Sequence, residues 1–221
     1  MPHPYWPLFD LVVRTPLIEL RYPDDDFVTR LATLAAKGIH DPTTTPWVDP
    51  WTDAPSPLLE RDLCRLLWRK RAEWSPVRWN LSLAVLVDGE LVGLQGINAW
   101  KYPVRRVVRT MSWLGLDYQG QGFGKEMRAA VLHLAFAGLG ARLAESEAWH
   151  DNEQSLRVTK AAGYQTNGWR IDVRRGRAAA MLNFLLDRAE WEKRRRADID
   201  IAGLEPSLAL FGLHRHDNSA D

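Results

Sequence analysis

From residue 118 to 125 the chain reads Tyr-Gln-Gly-Gln-Gly-Phe-Gly-Lys, with glycines at 120, 122 and 124. Alternate glycines let main-chain N–H groups reach a ligand with no side chain in the way. A strand-like run over 110–116 precedes them and a helix-like run over 123–137 follows. The start of such a helix carries about half a positive elementary charge. Together these features suit a phosphate or pyrophosphate. Lys125, at the helix start, either contacts a phosphate or faces solvent. Downstream, Glu145 and Glu147 alternate within an apolar strand-like run over 143–149, which puts both carboxylates on one face. A central strand buries them at substantial cost unless they are ion-paired or wet. Where a water-filled cleft relieves that cost, Glu147 is placed to deprotonate an ammonium, directly or through water. A purely structural salt-bridged pair is the competing reading. His150 follows, an imidazole of the kind suited to proton transfer near neutral pH. Asn152, Ser155 and Thr159, spaced three and four apart, share one helix face, and Asp151 or Asn152 is a natural N-cap.

Spacing separates the reactions that use glycine-rich turns. The nucleoside-triphosphate loop requires Ser or Thr after Gly-Lys, for magnesium, whereas Glu126 follows Gly124-Lys125 here. A dinucleotide fingerprint requires Gly-x-Gly-x-x-Gly early in a parallel βαβ unit. Glycines 120, 122 and 124 have another spacing and follow an antiparallel meander. A kinase-type loop closes a hairpin, and this one opens a helix. What remains is Gln-x-x-Gly-x-Gly at Gln119, Gly122 and Gly124.

The elements that must position these groups are readable in outline. The run 17–21 is a strand candidate, with Val12 and Val13 in an earlier one. Asp24-Asp25-Asp26 opens a helix that runs to Lys37 and stops at Gly38. Residues 41–57, with Trp47 and Trp51, read as a long loop. Ser56-Pro57 reads as an N-cap with proline at the first helical position, and Leu59, Leu63, Leu66, Leu67 and Trp74 line one side of the helix that follows. The runs 81–87 and 91–97 flank Asp88-Gly89, a hairpin signature, and 107–116 supplies a third strand. After the glycine loop, Gly138 and Gly140 end the helix. A strand over 143–149, a helix over 152–162, a strand from Gly163, a strand over 181–186, a helix over 188–196 and an apolar segment over 208–213 complete the order. This is an α+β pattern with a mixed sheet, expected to form one domain over 1–213 with a polar tail at 214–221.

Composition narrows the partners. With 29 basic and 28 acidic residues in 221, the net charge of +1 gives no reason to expect nucleic acid. The single cysteine, Cys64, excludes an internal disulfide and a cysteine-based metal site. The histidines show no helical i, i+4 pairing, so no metal is expected. No run is long and apolar enough to span a bilayer and no signal pattern opens the chain, so the expectation is a cytoplasmic protein without a membrane partner. Eleven tryptophans suggest an aromatic-rich core or a broad apolar cleft.

The Gln-x-x-Gly-x-Gly loop resembles the acyl-CoA pyrophosphate loop of the GNAT N-acyltransferase superfamily. The resemblance runs from about Leu17 to Leu213 and is strongest from Leu114-Gly115-Leu116 through Asn152-Glu153-Gln154-Ser155 to Gly163-Tyr164. Asn-x-x-Ser before Gly-aromatic resembles the RimJ/RimL branch, and the whole pattern is similar to a succinyltransferase of that superfamily. The resemblance implies a mostly antiparallel mixed sheet flanked by helices, with two central strands splayed around the pantetheine of the co-substrate, acetyl-CoA or succinyl-CoA. It implies main-chain contacts to pantetheine near Trp113, Leu114 and Leu116. It implies a pyrophosphate site over Gln119, Gly120, Gln121, Gly122, Phe123, Gly124 and Lys125. Asn152 would bind CoA, with Ser155 near its sulfur as proton donor or hydrogen-bond partner of the departing thiolate and Thr159 on the same face. Many relatives carry a tyrosine acid where this chain has Thr159. Glu147, with His150 as the lesser candidate, would be the base.

The implied reaction is direct acyl transfer to an amine: a protein N-terminus, a lysine or a small molecule. A non-catalytic acyl-CoA sensor is the alternative, and a second copy of the chain is a further candidate partner. A succinyl donor needs a cation at its acyl end, and Arg109, His150 and Arg128 are available. The acceptor wall is expected from the first two helices and the Trp47/Trp51 loop.

Overall fold

The Asp88-Gly89 hairpin is the local instruction that starts the sheet. Both residues adopt positive φ, 49° and 81°, the geometry of a two-residue turn whose twist matches the flanking strands. The computed structural model describes residues 3–213; the polar tail expected at 214–221 lies outside the described residues. In chain order the elements are β1 (Val12–Arg14), β2 (Glu19–Arg21), α1 (Asp25–Ala36), α2 (Leu58–Ala72), β3 (Arg78–Val87), β4 (Glu90–Trp100), α3 (Tyr102–Arg105) and β5 (Val107–Leu114). Next come α4 (Phe123–His133), β6 (Leu143–Trp149), α5 (Glu153–Ala161), β7 (Gln165–Arg174), β8 (Arg177–Asp187), α6 (Arg188–Glu192) and β9 (Asp200–Ala202).

The strands form one sheet in the order β7-β8-β6-β5-β4-β3-β2-β1-β9. Every neighbouring pair with a resolved register is antiparallel except β5 and β6, which run parallel over three residue pairs only, from Val107↔Leu143 to Arg109↔Glu145. This is the expected mixed, mostly antiparallel α+β architecture. Helices cover both faces. Val28, Leu31 and Ala35 of α1, with Leu59, Leu63 and Leu67 of α2, bury against Leu86, Leu94 and Trp113. Met127, Ala130, Val131 and Leu134 bury against Val108, Leu114 and the rest of the larger cluster. Each fully buried Leu or Val contributes about 1.5–3 kcal/mol relative to exposure. Asp24 caps α1 through the Phe27 N–H at 2.8 Å, and Asp25 and Asp26 complement its positive end.

Several boundaries differ from the sequence reading. The third strand ends at Leu114 rather than 116: the Leu116 N–H turns away to Gly38 O at 3.1 Å, and residues 116–118 form a 3-10 turn. Pro57, not Ser56, holds the cap position of α2. The Leu58 and Leu59 N–H groups go to Pro55 O, while Ser56 Oγ donates to Glu60 at 2.6 Å. Because α2 stops at Ala72, Trp74 leaves its apolar side and stacks on Trp79 in the other core cluster. The last predicted helix stops at Glu192, with three-residue turns beyond it, and Arg196 reaches Glu126 at 2.7 Å. β9 was not anticipated; it pairs with β1. The final apolar segment is a 3-10 helix, Glu205–Phe211.

Candidate active site

Beyond Arg109 and Glu145 the parallel pair comes apart. Residues 110–114 of β5 and 146–148 of β6 line opposite walls of a cleft of about 670 Å³. The bond from Gly115 N–H to Val92 O (2.9 Å) sets the phase of the β4–β5 ladder. By alternation, the main-chain groups of Met111 and Trp113 face β4 and those of Ser112 and Leu114 face the gap. Two of the three residues expected to offer main-chain contacts therefore direct their N–H groups elsewhere. Trp113 brings its side chain to the cleft, and the Leu116 N–H is already committed to Gly38 O. Leu114 keeps its place, with its N–H toward the gap.

The glycine loop closes one end. Gly120 and Gly122 have φ of 76° and 92°, and a Cβ at either would meet no protein atom within 4 Å. Glycine is thus required there by backbone conformation, not by crowding. None of the N–H groups of residues 120–124 donates to a protein acceptor among the described residues. Consecutive unpartnered N–H groups at the N-terminus of an eleven-residue helix make an anion cradle. Gln119 holds the loop in place: its Nε2 donates to Ile39 O (2.8 Å) and Leu114 O (2.9 Å). Gln119, Gly124, Trp113, Leu114 and Leu116 border the cleft; Gly120, Gln121, Gly122, Phe123 and Lys125 adjoin it in the chain but lie outside the enclosed volume.

On α5, Asn152 is the N-cap, its Oδ1 accepting the Ser155 N–H at 3.1 Å. Asn152 and Ser155 both line the cleft, and the Ser155 hydroxyl has no hydrogen-bond partner among the described residues. Thr159 does not join them. It is 1% exposed with an unpartnered hydroxyl, because the helix face that borders the cleft at Ser155 is packed inward one turn later. His150 is also absent from the cleft lining. It sits in the turn after β6, exposed and away from the cleft, its N–H on Ala180 O.

Glu147 lines the cleft, and its Oε2 is held by Arg170 Nη1 at 3.0 Å and faced by Arg109 Nη1 at 3.7 Å. Its Oε1 takes no partner among the described residues. Glu145 pairs with Arg109 at 3.4 Å and with Arg105 at 4.0 Å. Burial acts to lower the Arg170 pKa, but its bonds to Glu147 and Asp172 outweigh that and raise it. The opposite face of the gap is different. There Arg128, rising from α4, lies 3.4 Å from Ser112 Oγ and from Ser146 Oγ, over the Tyr164 ring.

The wall expected to take an acceptor is lined by loop residues rather than by α1 or α2. Ile39, His40, Pro46 and Trp47 line it, and Trp51 backs Trp47 at 5.3 Å between ring centroids. Arg174 straps this loop to the sheet, with Nε on Thr45 O at 2.8 Å and Nη1 on Asp151 at 2.7 Å. Sequence reasoning missed Arg170 and Arg174. Their period-two spacing in a strand read only as starting at Gly163 was the available signal.

A family model for the acetyltransferase (GNAT) domain matches residues 18–165. The chain belongs to the GNAT acetyltransferase family. Solved structures share the GNAT fold at low identity. The ribosomal L7/L12 alpha-N-protein acetyltransferase RimL in complex with coenzyme A superposes with a TM-score of 0.66 at 16% identity, covering 80% of this chain and 97% of that one. The microcin C7 self immunity acetyltransferase MccE, in complex with acetyl-CoA and AMP, gives 0.60 at 14%, covering 78% and 93%. The spermidine/spermine N-acetyltransferase SpeG from Vibrio cholerae gives 0.60 at 14%, covering 81% and 99%. Among the described residues of this GNAT chain, no helix is long and apolar enough to cross a membrane.

Proposed function

We propose that this GNAT protein transfers an acyl group from coenzyme A to an amine by direct attack, without a covalent acyl-enzyme. The observation that carries the reading is the parting of β5 from β6 next to a loop with free N–H groups over residues 120–124. A diphosphate held at the helix start directs the pantetheine arm into the gap, where unpaired strand groups offer hydrogen bonds. The acceptor arrives as an ammonium and gives one proton to Glu147, at the Oε1 left free by the arginines, directly or through water. Its nitrogen then attacks the thioester carbonyl. The N–H of Leu114 or Ser112 faces the developing oxyanion, a kind of fixed donor that commonly supplies a large share of catalysis. The C–S bond breaks as the nitrogen loses its second proton, and the thiolate leaves toward the Ser155 hydroxyl, which donates a hydrogen bond or relays that proton to sulfur. Cys64, half-buried on α2 and away from the cleft, takes no part.

The donor is acetyl-CoA or a larger acyl-CoA such as succinyl-CoA. The acceptor is an amine. The similar structures are named for amines as different as a protein α-amino group and spermidine, so the acceptor's identity rests on the Trp47 loop. The test is a thiol-release assay with several acyl-CoAs against an amine panel. Amine-dependent release of CoA is expected. The Glu147–Arg170 ion pair also favours a second reading, an acyl-CoA sensor with a structural carboxylate. Tight CoA binding without turnover, unchanged by Glu147→Gln and Ser155→Ala, would establish that reading instead.

A further inference from the structure

Arg128 is left without a task by the transfer chemistry. It is 4% exposed, yet it borders the cleft. Its Nη1 and Nη2 each lie 3.4 Å from a serine hydroxyl, Ser146 on β6 and Ser112 on β5, so the guanidinium bridges the two strands where they have parted. Its Nε is fully buried with no acceptor. Among the described residues no carboxylate pairs with it. A further neighbour is Tyr164, whose ring centroid is 5.9 Å away and whose neutral hydroxyl also interacts with the guanidinium. Burial raises the Tyr164 pKa, so its hydroxyl, 3.2 Å from Thr110 Oγ1, stays neutral.

A guanidinium remains charged and carries five N–H donors. Removing it from water is costly unless an anion compensates. Two long bonds to neutral hydroxyls do not do so. The transient oxyanion of the reaction does not either, since it is absent from the resting complex. A carboxylate that remains ionised throughout binding does. The position selects its source. Ser146 and Glu147 are adjacent in β6 and so point to opposite faces of the sheet. An acyl group in the gap therefore meets the incoming amine on the Glu147 side and extends its tail toward Arg128. Arg109 is committed to Glu145 and Glu147, and His150 faces away.

We propose that Arg128 binds a terminal carboxylate on the acyl group and makes the protein selective for a dicarboxylic acyl thioester, succinyl-CoA in type, over uncharged donors. This rests on the acyl-CoA transferase reading above. The test compares kcat/KM for succinyl-CoA, butyryl-CoA (same chain length, no charge) and acetyl-CoA in wild type, Arg128→Met and Arg128→Lys, with CoA affinity measured by calorimetry. Wild type is expected to prefer succinyl-CoA over butyryl-CoA by at least about tenfold. Arg128→Met is expected to lose about 100-fold with succinyl-CoA while acetyl-CoA and butyryl-CoA stay within about threefold. Arg128→Lys keeps the charge and should retain part of the preference, which also serves if the Met variant folds poorly. An equal loss with all three donors overturns the proposal, as does a loss that follows a carboxylate on the acceptor instead. Turnover by wild type without carboxylate preference overturns this proposal alone. Failure of wild type to bind CoA overturns the transferase reading with it.

Discussion

The proposed donor half and the proposed acceptor half of the cleft are built from different parts of the polypeptide. The donor half is mostly main chain: the N–H groups of residues 120–124, the open edge of β5 and the start of α4. The acceptor half is side chain: Glu147 between Arg170 and Arg109, and the Trp47 loop held by Arg174. The free groups of the first half are open to an anionic ligand. In the second half Glu147 Oε2 is already met by Arg170 and Arg109, and Oε1 takes no partner among the described residues. Substitutions that change backbone should therefore damage binding of the donor, and those that change charge should damage turnover.

The largest effect expected is from Gly122→Val. A β-branched residue at φ 92° is strained by about 1–3 kcal/mol, and its side chain occupies the anion's approach. Calorimetry should show CoA affinity reduced by about 100-fold or more, with the amine KM little changed. Glu147→Gln should invert this pattern: kcat falls by about 100-fold and CoA affinity holds. Equal effects of both variants on affinity would erase the distinction between the halves. Ser155→Ala should lower kcat by about tenfold with affinity again preserved, most visibly with poor leaving groups.

The smallest effect lies outside both halves. Burial first, then Arg195, pulls the His133 pKa below 6.5. The unfolded chain therefore takes up the proton at higher pH than the folded one. Stability from this group is complete above 6.5 and declines as pH falls toward the lower folded value. The urea midpoint should drop across that window in wild type and less in His133→Gln.

The same contrast explains what the sequence disclosed. Glycine at a positive φ leaves a signature in one dimension, so the loop, the α4 start and the Asn152 cap were legible. So was the hairpin, from Asp88-Gly89. The N–H directions of Trp113 and Leu116 were not legible: the first follows from a bond between Gly115 and Val92, the second from a bond to Gly38, and only the fold reveals those partners. The places of His150 and Thr159 were not legible for a related reason: a turn and a helix rotation decide what faces a cavity. The partners of Glu147 were out of reach, because Arg170 and Arg109 approach from strands far apart in the chain. Arg128 was visible as a residue but not as a buried cation without a carboxylate.

The most direct measurement is amide hydrogen exchange of the segment containing residues 120–124, with and without coenzyme A. Saturating CoA should slow exchange of those N–H groups, together with Ser112 and Leu114, and leave the Trp47 loop less affected. Unchanged exchange in that segment, with CoA bound elsewhere or not at all, would contradict the account.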